Sequence, residues 1–296
     1  MEREQSPERE PARPRRVTPP QWRRMKREGQ RIAMVTAYDA PSARLADAAG
    51  VDGLLVGDSA AMTVLGYDST VQVTVDEMLM LTRAVTRSVR RPLVVADMPF
   101  GSFQISDKEA VKQAVRFIKD GGAGAVKLEG AGRTLTRVAA IVGAGIPVMG
   151  HVGLTPQSAV ALGGYRAQAR TASDAHRLQD EALALEGAGC FALVLEAIPA
   201  IVAERITETL KIPTIGIGAG PRCDGQVLVW HDVLGLTAGH VPQFVKRYAD
   251  LAASTTSALE TYVSDVRTGR FPEVQHTYPM ADGEQELFEL DKLARR

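Results

Sequence analysis

From residue 32 onward the chain repeats one pattern. A short, wholly apolar run gives way to a polar or glycine-rich break, then to a longer stretch with apolar residues every three or four positions. The short runs are 32–37, 53–57, 92–98, 125–130, 147–154, 190–198 and 213–218, with a further one at 227–230. They are rich in Val, Ile and Leu and lack the alternation of a strand with one wet face, so they read as strands buried on both sides. The longer stretches, 42–49, 75–89, 107–120, 135–142, 174–187 and 199–210, read as helices. Gly50 and the pair Gly121-Gly122 stand where two of them should stop. A first helix is expected near Trp22 and a long closing one over 245–266, whereas residues 155–173, rich in Gly and Gln, read as a loop.

Short buried strands alternating with helices predict a parallel sheet with helices on its faces. Eight such units over about 250 residues match a (β/α)8 TIM barrel. A doubly wound open sheet is the competitor, because the pattern counts strands without showing closure. The ends of the chain differ from this body. Residues 1–18 hold Pro, Arg and Glu with almost no apolar side chain, and predict a disordered tail. The basic run 13–27 fits either a nucleic-acid or targeting segment or a solvated tail leading into the first helix. Glu2, Glu4, Glu8 and Glu10 argue against a transit peptide, which is poor in acids. The organisation expected is a tail over 1–18, the barrel over 19–278 and an extension over 279–296. Within the extension, Leu287, Phe288, Leu290 and Leu293 among charges fit either a short docking helix or disorder.

Composition narrows the partners. The 35 basic and 35 acidic residues balance, so no overall field draws the chain to nucleic acid or anionic lipid. No apolar run approaches the roughly 20 residues of a membrane helix, and the N-terminus lacks the apolar core of a secretory signal. Cys190 and Cys223 are the two cysteines, with no CxxC between them, and read as free thiols of a reducing compartment. These features point to the cytoplasm.

Chemistry gathers where the strands end, the catalytic side of a barrel. Strand two runs out into Asp58-Ser59, strand three into Asp97, strand four carries Lys127 and Glu129, strand five His151 and strand six Glu196. Lys127 and Glu129 are two apart, so they share one side of their strand. Singly each has a plain explanation: Asp58 and Asp97 as turn caps, His151 as a hydrogen-bonded core histidine, Glu196 as a lysine's partner. Together they predict a mouth lined with charge. Three acids in one pocket need a counter-charge. An all-oxygen set suits a hard divalent ion, Mg2+ before Mn2+, and no His/Cys spacing suits zinc. Glu196, apart from the others in an apolar strand, is expected to have a raised pKa and to serve as a general base. Metal, Lys127 and base together suit removal of a proton next to a carbonyl. The glycine-rich run 215–220 reads as a tight turn giving close approach, with phosphate binding as the alternative. Rival uses of the same residues are a Schiff base on Lys127, or a barrel kept only for binding.

Several stretches carry a resemblance: Thr36-Ala37-Tyr38-Asp39, Leu55-Val56-Gly57-Asp58-Ser59, Ala96-Asp97-Met98-Pro99-Phe100, Val126-Lys127-Leu128-Glu129-Gly130, Gly163-Gly164-Tyr165 and Val194-Leu195-Glu196. The longest is Gly150-His151-Val152-Gly153-Leu154-Thr155-Pro156-Gln157-Ser158. In this order, from about residue 18 to about 278, the chain resembles the ketopantoate hydroxymethyltransferase family. The resemblance implies a barrel of the phosphoenolpyruvate/pyruvate type that moves a hydroxymethyl group from 5,10-methylenetetrahydrofolate to 3-methyl-2-oxobutanoate. It implies Mg2+ on Asp58, Asp97 and Glu129, the oxo acid on Asp58, Ser59, Asp97 and Lys127, and Glu196 as proton acceptor. It also implies a homodecamer. His151 is a candidate supporting residue. Ala131, Arg166 and Ala169 stand where the family pattern commonly has Gly, Lys and Gly. The nearest rival activity is a Mg2+-dependent lyase or aldolase acting on a 2-oxo acid without folate.

Overall fold

The computed structural model describes residues 16–159, 163–239 and 241–294. Its strands are β1 (Ile32–Thr36), β2 (Gly53–Val56), β3 (Leu93–Asp97), β4 (Ala125–Glu129), β5 (Val148–Gly153), β6 (Ala192–Glu196), β7 (Thr214–Ile217) and β8 (Gly225–Leu228). All pair in parallel with their sequence neighbours, and β1 pairs with β8, so the sheet closes into a barrel. That pairing removes the open-sheet alternative. The helices are α1 (Pro19–Arg27), α2 (Ala40–Ala48), α3 (Ala60–Thr63), α4 (Val75–Thr86), α5 (Asp107–Lys119), α6 (Thr134–Gly143), α7 (Ala172–Gly187), α8 (Ala200–Thr209), α9 (Trp230–Val233), α10 (Leu251–Thr268) and α11 (Glu284–Ala294).

Two apolar layers follow from strand periodicity. Alternate residues Leu54, Val56, Val94, Ala96, Val126, Leu128, Leu193 and Leu195 pack outward against Met78, Leu79, Phe117, Ile141, Leu185 and Ile206 of the helices. The residues between them, Ile32, Met34, Leu55, Leu93, Val95, Ala125, Met149, Ala192, Val194, Ile215 and Val227, fill the barrel interior. Trp22 of α1 joins this inner cluster, fully buried, with its ring 5.9 Å from that of Phe191 just before β6. The strand starts are thereby plugged by α1, and the other end is left for chemistry.

Some boundaries differ from the sequence reading. The eighth strand was expected at 227–230 on its apolar residues but begins at Gly225. A Cβ there would lie 2.5 Å from the Ile32 carbonyl, so only glycine lets β8 close on β1. The closing helix starts at Leu251 rather than 245, because the Asp250 side chain caps it by accepting from Ala253 N–H. Of the tail expected over 1–18, residues 1–15 lie outside the described residues. Val17 is buried and donates its N–H to Arg91 O at 2.7 Å, so it belongs to the folded body. One compact unit ends at Tyr248 and a second begins at Ala249. The second unit contains α10 and α11. No helix among the described residues is long and apolar enough to cross a membrane.

Candidate active site

The interior positions that are apolar low in the barrel turn polar one step higher on the same side of each strand. Val95 is followed by Asp97, Ala125 by Lys127 and Glu129, Met149 by His151, and Val194 by Glu196. Strand pairing places Asp97 opposite Lys127 and Glu129 opposite His151. The period that builds the core therefore also delivers the charges to one mouth.

Lys127 lies at the centre. Its Nζ is 3.1 Å from Asp97 Oδ1, 3.5 Å from Glu129 Oε1 and 3.2 Å from His151 Nδ1. His151 Nδ1 is 3.4 Å from Glu129 Oε1, and its Nε2 is 3.1 Å from Glu196 Oε2. Asp58 joins through its backbone, whose N–H donates to Asp97 Oδ2 at 3.0 Å. Neither Asp58 nor Asp97 caps a helix with its side chain. Ser59 Oγ is 2.8 Å from the Tyr38 hydroxyl. Asp58, Ser59, Asp97, Lys127, Glu129, His151 and Glu196 line a cavity of about 100 Å3, together with Thr36, Leu55, Val194, Ile217 and Val227.

Gln157 is the residue the sequence reading passed over. Its side-chain amide donates to Asp58 Oδ2 at 2.9 Å and to Met98 O at 3.0 Å, and its backbone N–H donates to Glu129 Oε2 at 3.0 Å. One loop residue thus holds two of the acids. It sits in a short 3-10 turn, Pro156–Ser158, inside the stretch read as an aperiodic loop. Only its place in the Thr-Pro-Gln-Ser run of the resemblance marked it.

The charges are unevenly balanced. Burial works to lower the Lys127 ammonium, but Asp97, Glu129 and Asp58 outweigh it and raise it above the usual lysine range. Burial and Lys127 press His151 down, but its contacts with Glu129 and Glu196 raise it to about 9. Burial pushes Glu129 up, yet Lys127, His151 and the Gln157 N–H hold it at about 2. Asp58 shows the deficit: burial, then Glu129 and Asp97, push its carboxyl well above the usual range. Asp97 is raised by burial, against the pull of Lys127. Its buried Oδ1 makes no hydrogen bond although Lys127 stands near.

Each site residue expected from the sequence is at this mouth, but two expectations change. Glu196 is not set apart in apolar surroundings; it faces the His151 imidazole. His151 is more than a support at the margin, since it contacts Lys127, Glu129 and Glu196. The three acids also differ in availability. Among the described residues, no three acid, His or Cys side chains stand together as an ion-holding set. Both oxygens of Glu129 are engaged, one by Lys127 and His151 and the other by Gln157. The donor set still fits a hard divalent ion. Lys127 and His151 offset only part of the four carboxylates' charge; Asp58 offers the oxygen that Gln157 does not hold, and Asp97, like Glu129, would have to share with the ion an oxygen that now faces Lys127.

Comparison with known proteins decides the family. The ketopantoate hydroxymethyltransferase model matches residues 16–274. The chain belongs to the ketopantoate hydroxymethyltransferase family. Within it, the chain is 59% identical over 263 residues to the 3-methyl-2-oxobutanoate hydroxymethyltransferase of Moorella thermoacetica, covering 89% of this chain and 98% of that protein. It is 56% identical over 265 residues to the enzyme of the same name from Acidothermus cellulolyticus, covering 90% and 97%. Among solved structures, a phosphonopyruvate hydrolase complexed with oxalate and Mg2+ superposes with a TM-score of 0.58 at 16% identity, over 94% of this chain and 97% of that one. A 2,3-dimethylmalate lyase of the PEP mutase/isocitrate lyase superfamily gives 0.55 at 17% identity, over 95% and 100%. These two likenesses show that this hydroxymethyltransferase family member shares their barrel fold.

Proposed function

We propose that the chain transfers a hydroxymethyl group from 5,10-methylenetetrahydrofolate to 3-methyl-2-oxobutanoate, giving 2-dehydropantoate for pantothenate and coenzyme A synthesis. The observation that carries this reading is the mouth itself. Within a chain of this family, Asp58, Ser59, Asp97, Lys127, Glu129 and Glu196 all reach one cavity of about 100 Å3. Mg2+ would be held by Asp58, Asp97 and Glu129, the last two sharing with the ion oxygens that face Lys127. Bound there, the ion supplies Lewis-acid stabilisation of charge developing on the substrate's carbonyl oxygen.

The chain's own residues supply the rest. Lys127, kept cationic by its carboxylates, offers a positive group to the oxo acid. A cationic lysine is a poor Schiff-base nucleophile, which disfavours that rival. Glu196 accepts the proton from C3 of the oxo acid, and the His151 imidazolium beside it holds the carboxylate in place. The carbon so freed bonds to the methylene carbon of the folate as one of that carbon's two bonds to folate nitrogen breaks. Water then displaces the second nitrogen and provides the hydroxyl, and the proton held by Glu196 and the one given up by water go to the two folate nitrogens.

Turnover of purified protein should require both methylenetetrahydrofolate and Mg2+, and should stop with EDTA. Product formed from the oxo acid without folate would instead favour the lyase or aldolase reading. The same proposal places the enzyme in the cytoplasm, as its balanced charge and free thiols suggest. It takes from the family a homodecameric assembly, which the mass in solution checks.

A further inference from the structure

The cavity among the acids is too small for both substrates. At about 100 Å3 it is smaller than the roughly 150 Å3 void that accepts one benzene ring. A five-carbon oxo acid, itself larger than benzene, would already fill it, and a two-ring pterin cannot share it. The larger co-substrate must therefore rest outside, where its methylene carbon can still reach into the mouth.

An apolar rim stands there. Met62 lies in α3, three residues beyond Ser59, and is 43% exposed. Tyr165, from the long loop after β5, is 55% exposed, and its hydroxyl meets Met62 Sδ at 4.0 Å. Its phenol is raised by burial and then by Asp58, Glu129 and Glu196, so the exposed ring stands within reach of the acids' charge. An exposed aromatic ring and a thioether in contact, beside a charged cavity, offer a flat aromatic ligand stacking and sulfur contacts.

Resting on the hydroxymethyltransferase reading above, we propose that Met62 and Tyr165 form the platform for the pterin ring of the folate co-substrate. Neither touches the oxo acid cavity's lining acids by hydrogen bond, so they set affinity for folate and not the proton transfer. The competing place is a cavity of about 1030 Å3 outside β7 and β8, lined in part by Arg170, Gln226 and Phe244.

The test separates the substrates. In Tyr165→Ala the KM for methylenetetrahydrofolate should rise roughly 10- to 100-fold, the scale of losing one aromatic stacking partner, with the KM for the oxo acid little changed. Tyr165→Phe should keep wild-type KM, and Met62→Ala should show a smaller rise of the same kind. Exchange of the C3 proton of the oxo acid with solvent, measured without folate, should persist in all three and reports an intact fold. An unchanged folate KM in Tyr165→Ala, or a folate KM that moves with Arg170→Ala instead, would overturn the platform. Wild-type protein that turns over no folate at all would overturn the functional reading as well, a result distinct from either of these.

Discussion

His151 Nε2 lies 3.1 Å from Glu196 Oε2, while the other ring nitrogen faces Lys127 and Glu129. The imidazole is thus a bridge between the Glu196 carboxylate on β6 and the lysine–carboxylate pair on β4. Removing it leaves two carboxylates without that partner. His151→Asn is expected to lower kcat by about 10- to 100-fold, the usual cost of losing a group that orients another. The KM for the oxo acid should change far less, and steady-state kinetics would separate the two.

Gln157 holds Asp58 and Glu129 from one loop residue. Gln157→Ala removes the amide donor but keeps the backbone N–H, so Asp58 should suffer more than Glu129. Leaving a buried acceptor unpaired costs about 1–3 kcal/mol. Weaker Mg2+ and oxo acid binding by roughly tenfold or more, read by calorimetry, is the expected outcome. Unchanged binding of both would remove Gln157 from the site.

The backbone next to Glu196 is strained. Ala197 has φ +49°, a left-handed conformation that costs a non-glycine residue about 1 kcal/mol. Its position is fixed on both sides: its N–H donates to Ile217 O at 2.8 Å and its carbonyl accepts from Gln168 N–H at 2.9 Å. Ala197→Gly should raise stability to urea by up to about 1 kcal/mol, and Ala197→Val should lower it. A neighbouring glycine makes the converse point. Gly153 has φ +97°, and a Cβ on it would collide with the Glu196 carbonyl, so the tip of β5 must stay glycine for β6 to pass at Glu196.

How much of this the sequence discloses depends on range. Buried strands announce themselves because every residue in Leu93–Asp97 or Ala125–Glu129 is buried, so their runs are apolar except where chemistry intrudes. The intrusions, Asp97, Lys127 and Glu129, were legible for the same reason. What escaped depends on contacts between distant segments. Closure of β8 on β1 rests on a glycine whose need is set by Ile32, far away in sequence. The pairing of Glu196 with His151 and the clamp by Gln157 join residues on different strands and loops. No period within a window marks such pairs. Ser, Gln and Tyr in loops look alike until the fold shows which of them face the cavity.

The two cysteines make a separate check on burial. Burial pushes the Cys190 thiol up to about 12 and raises that of Cys223 too. At pH 8 both thiols stay protonated, and the thiolate is the reactive form. Folded protein should resist an alkylating reagent at both positions, and protein unfolded in urea should label at both. Rapid labelling of Cys190 in the folded state, read by mass spectrometry, would contradict its place behind β6.

In the proposed reaction Glu196 is the group that takes the proton. Incubating the oxo acid with Mg2+ and enzyme in D2O, without folate, should replace the C3 proton at a rate visible by NMR. In Glu196→Gln that exchange should disappear while Mg2+ binding stays near that of the wild type. Exchange continuing at the wild-type rate in Glu196→Gln would show that another group removes the proton and would contradict the mechanism.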